Sequence, residues 1–117
     1  MPPFRAHTLS KAERLCGKKD IARLLDQGRY GTVSCFRYCC LRENGQPVSR
    51  ILVSVPKRSF KRAVKRNLLK RRIREAYRLQ KQVLGPGNAI RFIYTPREIL
   101  PFADIFAAMA EALAALT

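Results

Sequence analysis

Between Lys18 and Gln27 the apolar residues fall at Ile21, Ala22, Leu24 and Leu25, the spacing of one helical face, with Asp20 near the start and Gly28 where a helix should stop. Beyond it the pattern changes. Thr32 to Arg42 carries Val33, Cys35, Phe36, Tyr38, Cys39 and Cys40, a composition that suits a strand, and Glu43-Asn44-Gly45-Gln46 predicts the turn of a hairpin. The second arm is Val48 to Val55, where Ile51, Val53 and Val55 share one parity before Pro56 ends the run. From Lys61 to Gln82 there is no glycine or proline and helix formers dominate, which predicts a long helix stopped by Gly85-Pro86-Gly87. Ala89 to Thr95 reads as a buried strand; because a long helix separates it from the arm at Val48 to Val55, the two should run parallel in one sheet. Pro101 opens a last helix, Phe102 to Leu116, with Ile105, Phe106, Met109, Leu113 and Leu116 near one face.

Charge divides the long helix. At about 100° per residue, Arg66, Asn67, Lys70, Arg71, Arg74, Arg78 and Lys81 share one arc, while Val64, Leu68, Leu69, Ile73, Ala76 and Leu79 take the other side. Lys65 and Arg72 intrude on the apolar side, where their stems should let the charged heads snorkel to solvent. Twelve of the chain's 24 Lys and Arg lie between Lys57 and Lys81, with Glu75 the only acid among them. Solvated helix faces mix both signs, whereas this one stacks like charges at i and i+4, where they repel. The whole chain of 117 residues carries a formal charge of +16 with 47% hydrophobic residues, enough apolar material for one domain, 1–117, with 1–8 as a flexible tail. A charge of that size calls for a polyanion as partner. The apolar side of the helix is needed to cover a sheet, which disfavours a membrane-surface or calmodulin-target use.

Chemistry by the polypeptide itself finds little support. The 8 acids are scattered, with no D-x-D or H-x-x-E spacing to hold metal ions, and His7 stands alone in the tail. Cys16, Cys35, Cys39 and Cys40 show neither C-x-x-C nor zinc spacing, so they read as reduced thiols and no protein-bound metal is expected. No run approaches the roughly 18 to 20 apolar residues of a spanning helix, and Met1 to His7 lacks the apolar stretch of a secretory signal. The expected compartment is the cytoplasm, with no membrane partner. Asn67 can give and accept hydrogen bonds, as recognition of a ribose hydroxyl requires, and the rings of Tyr30, Phe36, Tyr38 and Phe92 could either stack on bases or fill the core. One long helix after a hairpin fits no helix-turn-helix spacing, so DNA is not expected as partner.

The stretch Arg66-Asn67-Leu68-Leu69-Lys70-Arg71-Arg72-Ile73-Arg74-Glu75-Ala76 resembles the signature helix of bacterial ribonuclease P protein subunits, in which an Arg-Asn-Arg triplet precedes Lys-Arg and a further Arg. Val53-Ser54-Val55-Pro56-Lys57-Arg58 is similar to that family's strand ending in Val-Ser-Lys-Lys, and Asp20 to Gly28 to its first helix, Asp-Phe-x-x-Val-Phe-x-x-Gly. The likeness spans about Arg14 to Leu113. It implies an α+β sandwich, a four-stranded mixed sheet with three helices in αβββαβα order, and a left-handed crossover through the signature helix, opposite to the general rule.

The resemblance also implies membership of an endoribonuclease whose catalyst is a large RNA, with Mg²⁺ held mainly by that RNA and no organic cofactor. The protein would bind the ribonuclease P RNA and hold the single-stranded 5′ leader of precursor tRNA in a cleft between sheet and first helix. On this likeness Arg66, Asn67, Lys70, Arg71 and Arg74 contact the catalytic RNA, joined by the neighbouring Lys57, Arg58, Lys61, Arg62 and Lys65; the third place of the triplet is Leu68 here. The cleft is expected at Ile21 and Leu25, where the family has phenylalanines, and at Phe36, with Tyr38 or Cys39 at a tyrosine position. Ungapped alignment selects Cys39 and side-chain chemistry selects Tyr38, the residue taken. The alternative is a structural RNA-binding protein, such as a small ribosomal protein, which would lack the cleft.

Overall fold

In the computed structural model, which describes residues 13–15, 17–42 and 48–116, the chain runs α1 (Lys18–Gln27), β1 (Arg29–Val33), β2 (Phe36–Arg42), β3 (Arg50–Ser54), α2 (Ala63–Gln80), β4 (Asn88–Tyr94) and α3 (Phe102–Leu116). A single turn of 3₁₀ helix, Lys81–Val83, prolongs α2. The strands form one mixed sheet in the order β1-β2-β4-β3, antiparallel except for β3 and β4, which are parallel neighbours joined through α2. The parallel pair and the αβββαβα order are as expected. Among the described residues no helix is long and apolar enough to cross a membrane.

The hairpin differs. The run from Thr32 to Arg42 breaks at Ser34-Cys35, and Val33 pairs with Phe36 across that turn. The arms flanking Asn44-Gly45 are not partners at all, because β4 stands between them. Residues 43–47, the tail 1–8 and Cys16 lie outside the described residues. Burial explains the choice of partner. Ile90, Phe92 and Tyr94 of β4 are fully buried, and only a strand flanked on both sides can sink so completely. Thr95 fixes the new turn by donating its backbone N–H and its Oγ1 to Cys35 O at 3.0 and 3.1 Å.

Strand alternation sorts the two faces. Phe36, Tyr38 and Cys40 stand opposite Tyr94, Phe92 and Ile90, with Ile51 and Val53 beside them, and this face packs on α2 and α3. From α2 it receives Leu69, Ile73, Ala76 and Tyr77, and from α3 Ile105, Ala108, Met109, Ala112 and Leu113. The expected apolar side of α2 is thus partly wrong, since Val64 is 80% and Leu79 40% exposed. The first turn of α2 overhangs the sheet, leaving Ala63, Val64 and Lys65 in solvent, and the stripe at i, i+4, i+7 and i+8 is centred instead on Ile73.

On the other face Leu15, Leu24, Cys39 and Ala89 form a smaller core under α1. Leu15 reaches it from a short stretch in which its N–H donates to Ile51 O at 2.9 Å, along the outer border of β3. Gly28 ends α1 by donating its N–H to Leu24 O at 2.8 Å, and a Cβ added there would come within 2.5 Å of both that oxygen and Cys39 Sγ. Gly28→Ala should therefore lift α1 from the sheet and cost about 1–3 kcal/mol. Urea unfolding checks this, and an unaltered midpoint would show that α1 has room to spare.

Candidate RNA interface

Burying one stripe of α2 leaves the opposite side to Asn67, Arg71, Arg74 and Arg78, the first three of them exposed. Arg78 grips both carboxylate oxygens of Glu75, with Nε at 2.9 Å, so its charge is already matched. Among the described residues no hydrogen bond or ion pair engages Arg71 or Arg74. Partial burial, followed by the nearby Arg14 guanidinium, pushes Arg74 below the ordinary arginine value. Like charges gathered this closely are relieved by an anion between them, which a phosphate supplies.

Other cations singled out in the sequence are used differently. Arg66 turns back and donates Nη1 to Phe60 O and Lys61 O, both at 2.8 Å, tying the helix start to its approach loop. Lys81 pairs with Glu13 at 2.9 Å. Arg72 does not snorkel to solvent; its Nη1 donates to Leu100 O at 2.9 Å, in the segment leading to α3. Lys70 is half-buried on the flank of the ridge. Lys57 and Arg58 are exposed on the turn after β3, where Pro56 O accepts from Ser59 and Phe60 N–H. Lys61, Arg62 and Lys65 line a cavity of about 430 Å³ together with Arg97 from the loop after β4. No periodicity in the sequence marks Arg97, a loop residue brought in by tertiary packing.

The face under α1 is only partly covered. In register across the sheet, Thr32, Arg37, Ile93 and Ser54 form a row that α1 leaves open, and the next row is Tyr30, Cys39, Arg91 and Leu52. Arg91 Nε donates to Ser54 Oγ at 3.1 Å, which ties its guanidinium to β3. Tyr30 is 61% exposed, and its hydroxyl donates to Leu25 O at 2.6 Å, fixing the ring beside the end of α1. Ile21 and Leu25 are half-buried, Ile21 packed on the Leu24 and Cys39 cluster.

Two expected cleft residues do not reach this groove. Phe36 is fully buried on the α2 and α3 side, edge-on to Phe92 with ring centroids 5.7 Å apart. Tyr38 shares that side, its ring lying against Gly31 where a Cβ would collide with it. Alternation puts Cys39 toward α1 instead, buried beneath it with Sγ–H donating to Leu24 O at 3.2 Å. The exposed ring is that of Tyr30, directly across from Cys39 on β1. Its place follows from the turn at Ser34-Cys35, which the sequence pattern does not signal.

Neither surface offers a nucleophile or a metal cradle of its own. Burial, first among the causes, pushes the Cys35 thiol up to about 11 and raises Cys39 and Cys40, so these thiols stay protonated at neutral pH. Asp20 is held by Arg50 at 3.0 Å, Glu75 by Arg78 and Glu13 by Lys81, and among the described residues no three His, Cys, Asp or Glu gather to hold a metal. The arrangement suits binding: a cationic ridge for a folded RNA, and a shallow groove with Tyr30, Arg37 and Arg91 for a single strand.

Comparison with known proteins gives one answer. A family model described as Ribonuclease P matches residues 9–117. The ribonuclease P protein component of Porphyromonas gingivalis is 40% identical over 98 residues, covering 82% of this chain and 72% of the relative. That of Chlorobaculum tepidum is 32% identical, covering 89% and 79%. Among solved structures, the RNase P protein of Staphylococcus aureus superposes with a TM-score of 0.80 at 24% identity, over 92% of this chain and 97% of that one. The RNase P protein of Thermotoga maritima gives 0.78 at 24% identity, over 90% and 98%, and shares the fold. With the family model matched over nearly its whole length and two relatives above 30% identity, the chain belongs to the ribonuclease P protein family.

Proposed function

We propose that the chain is the protein subunit of a cytoplasmic ribonuclease P ribonucleoprotein, binding the catalytic RNA through α2 and the 5′ leader of precursor tRNA in the groove beside α1. The observation that carries this is the one-sided ridge of Asn67, Arg71 and Arg74 on a helix whose other side is buried in the core. The exposed Lys57, Arg58, Lys61, Arg62 and Lys65 extend the cationic surface from the start of that helix. In the groove Tyr30 offers a face for base stacking and Arg37 and Arg91 offer charge for the leader's phosphates. Mg²⁺, which would be held mainly by the RNA, would supply the activated water for phosphodiester hydrolysis. Glu13, Asp20 and Glu75 are engaged by Lys81, Arg50 and Arg78, and among the described residues no group of three or more acids, His or Cys gathers to hold a metal, so the polypeptide contributes affinity and positioning.

Reconstitution tests it. Mixed with a bacterial ribonuclease P RNA at near-physiological Mg²⁺, the protein should restore accurate 5′ cleavage of precursor tRNA, while neither component alone should cleave efficiently under those conditions. It should also favour precursor over mature tRNA. A structural RNA-binding protein would bind RNA in the same salt-sensitive way and rescue nothing, and cleavage by the polypeptide alone would overturn the assignment.

A further inference from the structure

The sheet has a second opening at the border of β1, lined by Tyr38, Cys40 and the end of α3 on the face away from α1 and edged by Gln27 at the end of α1. Where the C-terminal end of α3 overhangs β1 and β2, a cavity of about 690 Å³ lies between Tyr38 and Leu116, with Arg29 and Arg42 at its sides. Its volume is in the range of small-ligand sites. Both arginines are exposed, and among the described residues Arg42 makes a single long contact, 3.5 Å, to Leu116 O. α3 brings no Lys or Arg to the cavity, so its positive charge comes from these two strand residues. The Tyr38 ring is placed by Gly31 beneath it, the one residue of β1 without a side chain.

This cavity is not isolated from the groove. β1 is an outer strand of the sheet, and Tyr30, whose hydroxyl is fixed to Leu25 O on the α1 side, also lines the cavity. Groove and cavity therefore meet around the free border of β1. α2 packs against β3, at the opposite side of the sheet from β1. On the proposed docking to α2, which contacts β3, the cleavage point would lie toward β3, and a leader crossing the sheet would approach β1 as its distance from that point grows.

We propose that the cavity is a second subsite for single-stranded RNA, which takes leader nucleotides farther from the cleavage point after the strand has passed Tyr30 and rounded β1. The Tyr38 ring provides a stacking face and Arg29 and Arg42 bind phosphates. The inference rests on the groove being the leader site.

A leader-length series separates the two. Precursor tRNAs with no leader, a leader of roughly 4 nucleotides and one of roughly 12, lengths that bracket known single-strand sites, are bound to holoenzyme carrying the wild-type protein or Arg29→Ala/Arg42→Ala. The wild type should bind the long-leader substrate more tightly than the short. The double variant should match wild type on the leaderless and short substrates and lose about tenfold or more on the long one, the lower range of what one charge-assisted contact gives. Its log–log salt slope should fall by about 1.4 for the long substrate only, at about 0.7 per single-strand phosphate contact. Tyr38→Leu, which keeps both charges, should lose affinity for the long leader without altering the salt slope. If the double variant keeps the full gain from long leaders, the subsite is overturned. If wild-type holoenzyme does not distinguish leader-bearing from leaderless substrate, the groove assignment fails first and the subsite with it.

Discussion

Replacing Arg71 and Arg74 together with alanine is expected to weaken binding to the catalytic RNA on the order of a hundredfold, since each lost charge-assisted contact is worth roughly 1.5–3 kcal/mol. These two guanidiniums are exposed on the solvent side of α2, and among the described residues no carboxylate matches them. The salt dependence carries the sharper signature: the log–log slope should drop by about 1.8, at about 0.9 per phosphate of a duplex. Stability should hardly change, and removing Arg74 should even relieve its repulsion with Arg14. Arg66→Ala makes the contrast. Its guanidinium is spent on Phe60 O and Lys61 O, so its loss should appear in unfolding as well as in binding. Filter binding at several salt concentrations decides the matter, and a double variant with an unchanged slope would move the docking surface off α2.

Phe92→Ala should cost about 3–5 kcal/mol, a large part of the roughly 5–15 kcal/mol that holds a domain of this size together. Phe92 is fully buried at the middle of β4, in register with Tyr38 on one side and Val53 on the other. Its ring lies 5.7 Å from Phe36 and 6.4 Å from Tyr77, so it links the sheet to α2. The residues flanking it in sequence, Arg91 and Ile93, point into the groove, and loosening β4 should blur both RNA surfaces together. Because a ligand that binds only the folded state restores it by mass action, excess catalytic RNA should recover part of the lost activity. Urea denaturation gives the direct measure; a midpoint close to wild type would mean that the core repacks around the missing ring.

The two long helices and the parallel pair could be read from the sequence because their signals are local or follow from chain connectivity. α3 begins and ends at Phe102 and Leu116, where Pro101 and its apolar spacing placed it, and the uninterrupted helix formers mark α2 to within two residues at each end. The hairpin was hidden by the opposite circumstance. Ser34 turns the chain with φ of 52°, a left-handed conformation that costs a non-glycine residue roughly 1–2 kcal/mol and leaves no Gly or Asn as a marker. Asn44-Gly45 is the better turn locally, but burying both faces of β4 outweighs it. Tyr38 is misplaced for a different reason: side-chain chemistry favours its ring for the cleft, but alternation sets it with Phe36 and Cys40 on the α2 and α3 side and turns Cys39 toward α1. The ridge was legible through Asn67, Arg71 and Arg74, though not in every member. Arg66 leaves it, and Arg72 is kept from solvent, for backbone carbonyls that lie near only once the loops have folded.

The short stretch holding Leu15 N–H against Ile51 O bears on the chain's fate before it meets any RNA. An open β-strand invites a strand from another molecule, the first step toward fibrous aggregates. Here the chain occupies that position with its own backbone, and Arg14 sets a positive charge beside it. The newly made polypeptide is therefore guarded at its β3 border against pairing with another molecule.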